Sequence, residues 1–204
     1  MTDKPEVDVD ARAVIVETRT SITIVRLNRP AERNALSIAT LEELDAVVSA
    51  LITRADLSTV IFTGTGDVFA SGANIRELRA LTPATACEFA RRGQCLFQKI
   101  ADARQLTIAA VNGYCMGGGL DLALACDLRC ASPDAIFAHP GARLGIITGW
   151  GGTQRLPRLI GTARALEFFA TARRITSREA HDIGLVDYVG DSAIDCAYEA
   201  AGMI

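Results

Sequence analysis

The sequence predicts an α/β domain, and three observations carry that prediction. Short runs rich in β-branched residues alternate with longer stretches whose apolar residues recur at helical spacing, the pattern of strands joined by crossover helices. The chain has 204 residues, 50% of them hydrophobic, which suffices for one domain with a sizeable core. The stretch Asn112 to Asp127, NGYCMGGGLDLALACD, joins an apolar strand to an apolar helix through three consecutive glycines.

Taken in order, residues 1–12 read as a flexible polar start, 13–191 as the core domain and 192–204 as a short closing segment. Ala13 to Val16 and Ile22 to Leu27 flank a short polar turn and read as a hairpin, ended by Asn28-Arg29-Pro30. Thr40-Leu-Glu-Glu43 has the capping-box pattern, and Leu41, Leu44, Val47, Val48 and Leu51 give the helix after it one apolar face. Thr59 to Thr63 reads as a strand, and Gly64 to Asn74 as a small-residue loop able to bring backbone to a ligand. Thr82-Pro83 opens a helix running to about Ala103, with Phe89, Leu96 and Ile100 inward; Leu106 to Val111 is the next strand.

Beyond Asp127, Leu128 to Cys130 and Ala135 to Ala138 are short apolar pieces, and Pro157 limits any helix in the glycine-rich segment that follows to a short one or a bend. Thr162 to about Arg173 reads as helix and Thr176-Ser-Arg-Glu179 as a second capping box. Gly184 is placed as a helix stop and Leu185 to Val189 as the last strand.

A formal net charge of −3 with 22% charged residues argues against nucleic acid or an anionic membrane as a bulk electrostatic partner. No apolar run approaches the ~20 residues that span a bilayer. The acidic start MTDKPEVDVD also lacks the basic-then-apolar order of a signal peptide, so the expectation is a cytoplasmic protein. The six cysteines form no CxxC pair and read as reduced core residues. The two histidines, His139 and His181, lie far apart with no Cys/His cluster, so no metal site is expected.

Gly117, Gly118 and Gly119 stand where a helix begins, and backbone N–H groups there suit an oxygen that gains negative charge during a reaction. Asp121 follows one turn later. The competing reading is that the glycines only let helix and sheet pack closely. The triplet meets neither GxGxxG nor the phosphate-loop pattern.

Four stretches in this order, NRPAERNAL, FASGANI, NGYCMGGGLDLALACD and GWGGTQRLPRLIG, resemble the enoyl-CoA hydratase/isomerase (crotonase) family over about Val14 to Asp191. The resemblance implies a crotonase-like spiral of ββα units, with a short or missing C-terminal helical region because little chain follows the last strand. It implies acyl-CoA thioesters as substrates, coenzyme A entering only as part of the substrate, and a homotrimer or hexamer. Carried over residue by residue, the backbone N–H groups of Ser71 and Gly118 would form the oxyanion hole and Asp121 would be the catalytic carboxylate. Arg33, Ser71, Gly72, Ala73, Asn74 and Gly118 would bind CoA and substrate. For Ser71 the alternative is a nucleophile, but VFASGA is not the G-x-S-x-G elbow.

The sequence departs from the family's hydratases at both of their glutamates. Asp121 withdraws its carboxylate by one methylene, and Gly141 has no side chain with which to move a proton. Both changes weigh against hydration. An isomerase or decarboxylase using one acid/base residue or none, and a non-catalytic acyl-CoA-binding or scaffold protein, stay open. Other places for the proton work are Asp121 alone, a polar group of the Thr148-Gly149-Trp150 segment, ordered water, and His139, which reads first as a structural histidine.

Overall fold

A computed structural model describes residues 12–202. The expected flexible start lies outside the described residues save for Arg12. Strands β1 (Val14–Arg19) and β2 (Ile22–Leu27) form the expected antiparallel hairpin, paired from Val14↔Leu27 to Arg19↔Ile22. A 3-10 turn over Pro30–Glu32 follows. Asn34 beyond it is buried, accepting the Arg29 N–H at 2.8 Å and donating to Thr65 O at 3.1 Å and Val68 O at 2.7 Å. That one side chain ties the loop holding Arg33 to the loop after the next long strand.

Strand β3 (Ala35–Leu36) leads into α1 (Ile38–Ile52). Here the expected cap is corrected: Ser37, not Thr40, caps the helix and accepts the Thr40 N–H at 3.1 Å. Glu43 lies inside the helix, and its carboxylate accepts the N–H groups of Ala13 and Val14 at 3.1 and 3.2 Å. It anchors the start of the hairpin instead of closing a capping box.

Strand β4 (Thr59–Gly64) is wholly buried, as a central parallel strand must be. The presumed loop after it contains β5 (Val68–Ala70) and β6 (Gly72–Ala73), followed by α2 (Ile75–Ala80). Helix α3 (Pro83–Ala101) starts at Thr82 with a complete capping box to Thr85 and buries Phe89, Leu96 and Ile100, as its spacing predicts. Strand β7 (Leu106–Val111) reaches α4 (Gly118–Ala125) through an additional short strand, β8 (Tyr114–Met116).

Strands β9 (Leu128–Ala131) and β10 (Ile136–Ala138) follow, then a 3-10 turn over Pro140–Leu144 and α5 (Gly152–Ile160). Pro157 lies inside α5, a helix short enough to carry it. The chain closes with α6 (Thr162–Thr171), β11 (Ile175–Thr176), α7 (Ser177–Asp182), β12 (Tyr188–Val189) and α8 (Ala193–Gly202). Thr176 caps α7 and Gly184 ends it in the left-handed region at φ +79°, both as expected. The last strand is confined to two residues. A ten-residue helix, α8, stands where little was expected.

Long strands build a six-stranded sheet in the order β1-β2-β4-β7-β9-β12, parallel from β2 onward. The short strands build a second sheet in the order β11-β10-β8-β5, and β3 pairs with β6. Successive units thus place one strand in the large sheet, the next in the small one, and then a helix. This is the ββα spiral. Period-2 alternation assigns Val60 and Phe62 to the main core and Ile61 to a smaller cluster behind the large sheet, where Ala193, Ala197 and Ala200 of α8 cover Ile24 and Ile108.

Cys115, Cys126 and Cys130 are buried as expected, whereas Cys87 and Cys95 are exposed on α3, a correction to the reading of the cysteines as core residues. No described helix is long and apolar enough to cross a membrane.

Candidate active site

The ββα spiral brings the loop after β5, the start of α4 and the segment after β10 to one side of the small sheet. Between them lies a cavity of about 500 Å³, walled by Ala73, Leu78, Phe89, Gly118, Trp150 and Phe169 among others. Its mouth carries the exposed apolar side chains Ile75, Leu144, Ile146, Ile147 and Leu166. A second cavity of about 320 Å³ adjoins it, sharing Ser71 and Pro140, and is lined by Arg33, Arg143 and Arg174. The Arg33 guanidinium sits 5.1 Å from the centre of the Tyr114 ring, a cation–π contact. Among the described residues none of these three arginines forms an ion pair.

The glycines at the head of α4 have distinct packing reasons. A side chain on Gly118 would overlap the Trp150 ring, and one on Gly119 would run into Ala70. Gly118 is the first residue of α4, so its N–H has no acceptor within the helix. Gly72, at φ +97°, lies so close that an added Cβ would stand 2.8 Å from Met116 O and 3.1 Å from the Gly118 nitrogen.

Three of the expected site residues are engaged within the fold. The Ser71 N–H donates to Arg33 O at 3.1 Å, so it is engaged in the fold and is not the free partner of Gly118. Asn74 turns its side chain onto the Arg76 N–H at 2.9 Å and caps α2 instead of facing the cavity. Asp121 is fully buried behind the cavity wall and does not line it. Gly72, Ala73 and Gly118 do line the cavity, and Ser71 lines both cavities.

Behind the wall, the Thr148 hydroxyl donates to Asp121 Oδ2, while Asp121 Oδ1 stands 3.4 Å from His139 Nε2. Burial pushes the Asp121 carboxyl up to about 7, against Thr148, the charge of Arg155 and the Trp150 N–H, each of which favours the anion. Burial likewise pushes His139 down to about 4. The imidazole packs against Phe168 and Phe169, with ring centres 6.2 and 5.0 Å away, and lines the cavity that Asp121 does not reach. Thr148 and His139 were visible in the sequence only as open alternatives. Arg143 and Arg174 were missed; Arg143 sits two residues from Gly141, but nothing near Arg174 in sequence signals its place.

Gly141 lines the cavity and accepts the Ile146 N–H at 3.0 Å through its carbonyl. An added Cβ would stand 2.6 Å from Ile146 O. Gly141→Glu is therefore expected to strain the 3-10 turn, costing about 1–3 kcal/mol, and to leave hydration no faster. Urea unfolding and crotonyl-CoA turnover would check this; a folded variant with strongly raised hydration would show that the turn tolerates the side chain.

Fold and site together define an α/β protein in which the head of a helix lines an apolar cavity beside a cluster of three arginines. The enoyl-CoA hydratase/isomerase family model matches residues 17–194. The chain is 40% identical over 177 residues to the short-chain-enoyl-CoA hydratase of Clostridium acetobutylicum, an alignment covering 86% of this chain and 68% of that protein. It is 41% identical over 177 residues to the crotonyl-CoA hydratase of Syntrophomonas wolfei, with the same two coverages, 86% and 68%. The crystal structure of enoyl-CoA hydratase from Bacillus anthracis superposes with a TM-score of 0.90 at 36% identity, covering 94% of this chain and 76% of that one. The chain belongs to the enoyl-CoA hydratase/isomerase family.

Proposed function

We propose that the chain binds an acyl-CoA thioester and stabilises its enolate, the acyl group lying in the 500 Å³ cavity and the phosphates of CoA at Arg33, Arg143 and Arg174. The observation that carries this reading is the junction of the two cavities. A basic site and an apolar site share Ser71 and Pro140, next to the helix-head nitrogen of Gly118, as a ligand with an anionic head, a reactive carbonyl and an apolar tail requires. Because the Ser71 N–H is engaged, the second donor is assigned to Ala73, whose nitrogen is 3.4 Å from where a Gly118 Cβ would stand. The positive φ of Gly72 breaks the strand alternation between Ser71 and Ala73, so their N–H groups need not point the same way.

Without a carboxylate at Gly141, the chemistry favoured is one that needs a single proton carrier, such as double-bond isomerisation, or decarboxylation, in which loss of CO₂ itself generates the enolate. The experiment is titration of butyryl-CoA and free CoA by calorimetry, with exchange of the thioester α-protons followed in D₂O by mass spectrometry. Saturable binding, α-proton exchange and slow crotonyl-CoA hydration are expected. Arg174→Ala should weaken CoA binding about ten- to hundredfold through loss of a charged contact. No binding would end the acyl-CoA reading. Binding without exchange would leave a non-catalytic acyl-CoA-binding member, the reading that buried Asp121 and absent side chain at Gly141 also permit.

A further inference from the structure

We infer that His139 is the residue exchanging protons with a molecule in the acyl cavity, and that Asp121 is its positioning residue, sharing a proton with it across the 3.4 Å gap behind the wall. The inference rests on the acyl-CoA reading for its substrate, but the pairing of the two side chains stands on geometry alone.

Asp121 has no exposed surface and no part in the cavity lining, so it cannot touch the reacting atoms. Gly152 has no room for a side chain because one would overlap Asp121 Oδ1, which closes that direction as well. His139 does line the cavity, and Phe168 and Phe169 fix the plane of its ring. Asp121 Oδ1 and His139 Nε2 are both sealed from solvent, and neither has a hydrogen-bond partner among the described residues. Two orphaned buried atoms each carry a desolvation cost, and one proton between them satisfies both once the 3.4 Å gap closes by a few tenths of an ångström to hydrogen-bond length.

The other groups around Asp121 say where that proton goes. The Thr148 hydroxyl already donates to Oδ2, so a proton on the carboxyl belongs on Oδ1, the oxygen facing His139. Arg155 and the Trp150 N–H favour the anion, and the Cys115 thiol beside it is pushed up by burial and by Asp121, so it stays protonated. The ring of His139 faces Phe168, Phe169 and Asp121, and burial is the only resolved influence on its ionisation.

With Asp121 ionised, His139 carries its hydrogen on Nε2 and presents Nδ1, the nitrogen not turned to Asp121, as the base. An α-C–H bond of the thioester breaks and its electron pair enters the enolate, whose oxygen is held at Gly118. The proton passes to Nδ1 while the Nε2 hydrogen moves to Asp121 Oδ1. Negative charge leaves the pair and appears on the enolate, and return of the proton at another carbon completes an isomerisation.

The test uses ¹⁵N-histidine NMR, simple here because the chain has only two histidines. In the wild type the His139 ring nitrogens should move through the same midpoint near neutral pH as the Asp121 carboxyl carbon, and Asp121→Asn should abolish that step. His139 shifts that stay flat through the Asp121 titration would overturn the pairing, whatever the ligand proves to be. In D₂O, His139→Gln should slow α-proton exchange about 10²–10⁴-fold at unchanged thioester affinity. Asp121→Asn should keep binding and lose the neutral limb of the exchange pH profile, a readout that a merely structural role would not move. Exchange at the wild-type rate in His139→Gln overturns the role of His139 and leaves the enolate reading intact. Absence of exchange in the wild type defeats that reading and the catalytic half of this inference together.

Discussion

Trp150→Ala is expected to destabilise the fold by about 3–5 kcal/mol and to merge two cavities, making it the most damaging single truncation near the site. Trp150 is 3% exposed and donates its Nε1–H to Phe89 O at 3.2 Å. Its ring is 5.2 Å from that of Phe89 and 5.8 Å from that of Phe97, the latter edge-on. Two glycines make room for it, Gly93 on α3 and Gly118 on α4, and a side chain on either would overlap the indole. Because Gly93 and Gly118 have no side chains to move into the void, filling it falls to Phe89 and Phe97, which are already packed in the core, so the cost belongs at the upper end for a core truncation. Trp150, Thr148 and Gly149 also line a separate polar cavity of about 500 Å³ that holds Gln94, Arg155 and Arg158. Removing the indole opens the apolar cavity toward those groups and admits water to the face of Gly118. Urea unfolding should show the loss of stability, and butyryl-CoA binding should weaken with it. An unfolding midpoint like the wild type's would mean that the two helices close over the gap.

The amount of this legible in the sequence follows how far apart in the chain each interaction reaches. The hairpin, the Thr82 cap, the inward face of α3 and the stop at Gly184 depend on residues a few positions apart, and all appear as expected. The ββα alternation was recognisable through four ordered motifs, although β5, β6 and β8 were too short to stand out among small residues. The environment of Asp121 was not readable. Its burial depends on Thr148 and Gly152, far along the chain, and a buried aspartate on an apolar helix looks the same in sequence as one that faces a cavity. The engagement of the Ser71 N–H was hidden for a related reason: whether a backbone N–H is free depends on its neighbour, here Arg33 O, and no side-chain pattern reports it. The Thr40–Glu43 box was a true spacing match, but Ser37 caps the helix three residues earlier and Glu43 instead holds two N–H groups at the start of the hairpin.

The pair behind the wall also makes a prediction about stability, in which each partner conceals the other. Asp121 has a folded value of about 7 against an ordinary 3.8, so the native state binds its proton more tightly. Its contribution is full below pH 3.8 and is lost as pH rises to about 7, an expected change of about 4 kcal/mol. His139 has the opposite displacement, about 4 folded against 6.5, so its contribution is full above pH 6.5 and is lost as pH falls to about 4, by about 3 kcal/mol. Between about pH 4 and 6.5 the folded pair carries one proton, on Asp121, and the unfolded pair carries one, on the imidazole. Folding moves the proton from one residue to the other without changing their number, so the wild-type pair gives almost no slope in that window. Replacing either partner uncovers the other: Asp121→Asn should lose stability relative to the wild type as pH falls from 6.5, and His139→Gln should lose it as pH rises from 4 to 7. Urea unfolding of the three proteins at half-unit pH intervals would give the two difference curves, and their slopes must have opposite signs. Three parallel curves would show that neither group keeps its burial-shifted ionisation in the folded state, and the proton-sharing pair would lose its energetic basis.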